Sequence, residues 1–94
     1  MYIKIHQSQD RCVIAVCDKE LVGKTLKDNK IEIKISERFY KGEEQTEEHI
    51  IKILKDAANI NLMGKKAVDV GIKAGVIVKS NVKMIQGVPH AQAV

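Results

Sequence analysis

The chain has 94 residues, 45% of them apolar, with no Trp and only Phe39, Tyr2 and Tyr40 as aromatic rings. That length suits one domain, residues 1–94, with an aliphatic core and no room for a second. Formal net charge is +4, no apolar run approaches the roughly 20 residues of a membrane span, and the charged, alternating opening MYIKIHQSQD is unlike a secretory signal. A soluble cytoplasmic protein with no membrane partner is the expectation.

In chain order, YIKIH alternates, with Ile3 and Ile5 on one face and Tyr2, Lys4 and His6 on the other. That pattern predicts a half-buried strand. After the polar turn QSQDR, CVIAVC is short, continuous and β-branched, as a strand buried on both faces would be, and the two strands predict a hairpin. Cys12 and Cys17, five apart, fall on opposite faces of such a strand and cannot share a metal or a disulfide within it. They read as small buried hydrophobes in a reducing compartment. Asp18 is placed to cap a short helical turn through Leu21 and Val22 that Gly23 ends.

KDNK is a polar turn, and IEIKI predicts a strand with Ile31, Ile33 and Ile35 inward. Ser36 is positioned to cap a helical turn through Phe39 and Tyr40. Thr46 starts the main helix, with Glu47 and Glu48 at the positive end of its dipole. Ile50, Ile51, Leu54, Ala57 and Ala58 form its apolar stripe. NINLM is a short apolar connection or strand. Residues 65–74 predict a second helix that Gly75 stops, with Ala67, Gly71 and Ala74 on a small-residue face. NVKMI predicts a last strand, and Pro89 in the following GVPHAQAV predicts a rigid exit turn displaying His90 and Gln92. The irregular interleaving predicts an α+β fold: a mainly antiparallel or mixed sheet of four to five strands, with two main helices packed on one side.

LVGKTL ends like a phosphate-binding loop, but that pattern needs a glycine where Asp18 stands, and a long helix where KDNKIEIKI follows. A nucleotide triphosphatase is excluded, while Lys24 remains able to touch an anion. Charge is more informative. Residues 60–94 hold Lys65, Lys66, Lys73, Lys79 and Lys83 against Asp69 alone, so the whole +4 excess lies there and the rest of the chain is balanced. Such asymmetry is one footprint of an anionic partner, and equally of a solvated basic face. Fourteen of the sixteen basic residues are Lys, which meets phosphate as a point charge, so backbone contact is expected rather than base readout. Lys65 and Lys66 oppose the dipole at a predicted helix start; either free amides and two ammoniums form an anion site there, or the helix begins earlier and the lysines simply reach into water.

No nucleophile–base set emerges. His6, His49 and His90 are scattered. His6 and His90 would meet only if the first and last strands were neighbours, and a metal would still lack a third ligand. Neither a metal nor a cofactor is expected. Aromatic interleaving is sparse, with only Tyr2 projecting from a strand by clear alternation, so base stacking has little support.

The runs VIAVCDKELVGKTL, IEIKISERFYKGE and GVPHAQ resemble the archaeal proteins called the domain of unknown function 424 family, over essentially the whole chain. The matching motif positions are Asp18, Glu20, Gly23, Lys24 and Thr25, then Gly87, Pro89, His90 and Gln92. The resemblance implies a small cytoplasmic protein of unestablished activity, sometimes described as predicted RNA-binding with a link to translation.

The leading expectation is therefore a non-catalytic module that binds RNA or ribonucleoprotein, using Lys24, Lys65, Lys66, Lys83, His90 and Gln92. One alternative is a small enzyme with His90 as acid or base near Asp18 or Glu20. Another is a protein-interaction or homodimerising module.

Overall fold

In a computed structural model, which describes all residues from Met1 to Val94, an α+β fold forms around a mixed sheet. The strands are β1 (Tyr2–Gln7), β2 (Cys12–Cys17), β3 (Thr25–Asp28), β4 (Ile31–Lys34), β5 (Glu43–Glu44), β6 (Asn59–Met63), β7 (Lys83–Ile85) and β8 (Val88–Ala93). The helices are α1 (Glu37–Tyr40), α2 (Glu47–Lys55) and α3 (Lys65–Lys73), with 3₁₀ turns at Lys19–Leu21 and Lys79–Asn81. Six strands make one sheet in the order β5-β1-β2-β6-β8-β7, and β3 and β4 make a separate two-stranded ribbon. Only β2 and β6 run parallel; every other pairing is antiparallel. The expected four to five strands were too few. The two-residue β5 has no pattern to read, and the closing segment is a strand.

β1 and β2 form the predicted hairpin, and β2 lies between β1 and β6, which explains its unbroken apolar run. Cys17 is fully buried, but Cys12 is exposed, contrary to expectation. The reason is register: β6 begins opposite Val13, so Cys12 has a neighbour on one side only. NINLM is the inner strand β6, buried from Ile60 to Met63.

Each sheet face carries its own core. On one, α2 and α3 bury Ile50, Leu54, Ala67, Val68 and Val70 against Ile3, Val16, Leu62 and Ala91. Gly71 of α3 sits so close to the sheet that an added Cβ would lie 2.3 Å from Leu62 Cδ1. On the other face, Leu26, Ile35 and Tyr40 from the ribbon and α1 pack on Ala15, Cys17, Met63 and Ile85. The two main helices do share one side, while the ribbon and α1 cover the other.

The predicted caps form: Ser36 Oγ accepts from Phe39 N–H at 3.2 Å and Thr46 Oγ1 from His49 N–H at 3.2 Å. The ribbon departs from its prediction. Thr25–Asp28 form a strand the sequence reading did not expect, and burial fades along β4, from buried Ile35 to Ile31, which is 54% exposed. Ile31 therefore does not point into a core.

The largest correction concerns GVPHAQAV. It is no exit turn: Val88–Ala93 form β8, an inner strand between β6 and β7. The turn lies earlier, at Gln86 (φ 49°) and Gly87 (φ 77°), the doubly left-handed conformation that matches strand twist in a two-residue hairpin. Pro89 fits an inner strand because its carbonyl faces β6, accepting from Gly64 N–H at 2.9 Å. The N–H it lacks would face the Gly64 carbonyl, which already accepts from Val68 N–H in the first turn of α3. No ladder bond is lost.

Candidate nucleic-acid interface

The start of α3 explains why two lysines open a helix. Asp18, at the end of β2, is 96% buried and reaches across to cap that helix. Its Oδ1 accepts from Ala67 N–H at 2.8 Å and its Oδ2 from Lys66 N–H at 3.1 Å. The carboxylate thus occupies the positive end of the dipole and offsets the unfavourable lysines. Gly64 makes the approach possible: its φ is +112°, and a Cβ there would lie 2.3 Å from Asp18 Cγ. Two expectations are corrected together. Asp18 does not cap the turn at Lys19–Leu21, where no side-chain cap bond forms. Nor do Lys66 and Ala67 offer free amides to an external anion, because Asp18 has taken them.

Lys65 and Lys66 project from this capped start and are exposed. They flank an open groove of about 520 Å³, lined also by Val68, Asp69, Ile72 and Pro89. The ion pairs within 4 Å number three: Lys19–Glu44, Lys73–Glu47 and Lys73–Asp69. Lys65, Lys66, Lys79 and Lys83 belong to none of them. Asp69, the one acid in the basic third, is held by Lys73.

The six candidate positions do not form one patch. Lys83 pairs with His90 across β7 and β8, and Gln92 follows on the same face, opposite Asn61. That face is the one the ribbon covers, whereas Lys65 and Lys66 belong to α3 on the other. Lys24 lies in the bend before β3, its carbonyl accepting from Ile35 N–H at 2.8 Å. His90 is half-buried on an inner strand, and its Nδ1–H donates to Leu62 O at 2.8 Å. Gln92 is exposed.

The arrangement gives the acid–base reading no constellation. Asp18 is committed to α3, and Glu20 lines a different pocket with Tyr2, Lys19, Val22, Glu37 and Lys41. His6 on β1 and His90 on β8 are separated by β2 and β6, so the first and last strands are not neighbours.

Three features went unseen in the sequence. Tyr40 O–H donates to Asn61 Oδ1 at 2.5 Å within the core, pinning α1 to the central strand. Burial pushes the Tyr40 hydroxyl well above its ordinary range and the Cys17 thiol up to about 12, so both stay protonated at neutral pH. The third is a stacked pair, His6 with Phe39, centroids 4.5 Å apart and planes 12° apart. Strand alternation showed His6 to be outward, but only the tertiary fold sets Phe39 upon it.

The fold is a small α+β domain whose unpaired lysines lie on both sides of its sheet. Residues 6–94 match the family model described as "Protein of unknown function (DUF424)", and the chain belongs to that family. Among solved structures it is similar to one described as "Crystal structure of an uncharacterized conserved protein from Methanopyrus kandleri", with 31% identity and a TM-score of 0.87. The match covers 97% of this chain and 87% of that one. No curated protein matches the chain.

Proposed function

We propose that this chain is a non-catalytic RNA-binding module, contacting phosphates through the ammoniums of Lys65 and Lys66 on the α3 side of the sheet. The observation that supports this reading is the ion-pair pattern. Every lysine of the basic third except Lys73 is free of a carboxylate, and Lys73 neutralises the only acid there. Unpaired lysines keep their full charge for an external anion, while paired ones would first have to break a bond. Because Asp18 fills the amides of α3, the contact is made by side chains and reads shape and charge rather than sequence. A cytoplasmic setting belongs to the proposal, since Cys12 and Cys17 are both free thiols. No helix is long and apolar enough to cross a membrane.

The test is fluorescence anisotropy with a labelled, folded RNA at low salt. Lys65→Glu combined with Lys66→Glu is expected to weaken binding by about tenfold or more. Wild-type protein that does not bind at low salt, or a double variant that binds equally well, contradicts the reading.

A further inference from the structure

The His6–Phe39 pair is fixed on both sides. Below, His6 Nε2–H donates to Phe39 O at 2.7 Å and Lys4 Nζ donates to Arg38 O at 2.5 Å, so two β1 side chains cap the end of α1. Beside them, Phe39 meets the Tyr40 ring edge-on, at 4.8 Å and 83°, and Tyr40 is anchored on Asn61. A stack held this way costs little to order when a third ring joins it.

Both rings are partly exposed, and they open onto a shallow concavity of about 340 Å³ lined by Lys4, His6, Ser36, Arg38 and Phe39. Its charge sets it apart. The other four larger concavities each include a carboxylate: Glu20 and Glu37, Glu43, Asp10 and Asp56, or Asp69. This one has two cations, two stacked rings, a hydroxyl and no acid. An aromatic platform beside unopposed positive charge suits a flat, polar ring attached to an anion.

We infer that the His6–Phe39 stack, with Lys4 and Arg38, is a subsite for one unpaired nucleotide, its base continuing the stack and its phosphate facing Arg38. This rests on the RNA-binding reading and adds to it: lysines elsewhere hold the backbone, and this position takes a base.

The experiment uses the whole chain and three probes: adenosine monophosphate, an oligoadenylate decamer, and an abasic decamer with the same phosphates. The wild type is expected to bind the intact decamer about tenfold more tightly than the abasic one. Adenosine monophosphate should shift the ring-proton resonances of His6 and Phe39 upfield. Arg38→Ala, an exposed change that leaves the core untouched, should weaken mononucleotide binding, and Phe39→Leu should bring the intact decamer down towards the abasic level. Equal affinity for the two decamers with no ring shift overturns the subsite, even if both bind well and the RNA reading survives. Ring shifts with the mononucleotide, but no binding of either decamer, would instead support the subsite and overturn the RNA reading.

Discussion

One buried carboxylate, Asp18, lets a helix begin with two exposed lysines. Asp18→Ala would strip the partners from two amides, and is expected to lower stability by about 1–3 kcal/mol in urea unfolding. Asp18→Asn keeps an acceptor oxygen and should cost less. Gly64→Ala should be at least as damaging as Asp18→Ala, since it adds a left-handed non-glycine backbone to a collision with Asp18. If Asp18→Ala unfolds at the wild-type urea concentration, the cap is not supporting α3. The two cysteines make a second residue-scale prediction. Exposed Cys12 should react with a thiol reagent at pH 8, whereas Cys17, raised from about 9 to about 12, should react only after unfolding. The sign of the linkage follows from that shift. Between about pH 9 and 12 the unfolded chain sheds the Cys17 proton while the folded chain keeps it, so stability is full below pH 9 and declines above it. Tyr40 shifts in the same direction and adds to the decline. An unfolding free energy that is flat from pH 8 to 11 would argue against both burials.

Among the elements, α1 is only four residues long and is held from outside: by its Ser36 cap, by Lys4 and His6 at its end, and by Tyr40 on Asn61. Tyr40→Phe leaves Asn61 Oδ1 buried without its partner and is expected to cost about 1–3 kcal/mol, measured by chemical denaturation. Tyr40→Phe with Asn61→Leu removes both polar groups and should recover part of that loss. Simple additivity of the two changes would mean the pair is not coupled. The same elements show what the sequence makes legible. Caps and stripes are local, so Ser36, Thr46, Ile50, Leu54 and the Gly75 stop could be read directly. β8 could not, because proline speaks against an inner strand unless its missing N–H faces a carbonyl already engaged, and only the docking of α3 shows that. β3 was hidden for a related reason: its partner is β4 alone, and Lys24, Thr25 and Lys27 give it no apolar alternation beyond Leu26. In the candidate interface, composition revealed the excess of lysine. It did not reveal that Asp18 silences the helix amides, or that the sheet separates Lys65 and Lys66 from Lys83, His90 and Gln92.

At the scale of the whole molecule, net charge and fold are nearly independent. Two cores, one on each sheet face, hold the structure, and the surplus lysines take no part in either. On the RNA-binding proposal, the contacts of Lys65 and Lys66 should be governed by counterion release. The most direct measurement is the affinity for the folded RNA across a salt series. Two phosphate contacts, at Lys65 and Lys66, predict a log–log slope of about −2, and Lys65→Glu with Lys66→Glu should bring it near zero. A wild-type slope near zero, or one that the double change leaves untouched, would contradict the account.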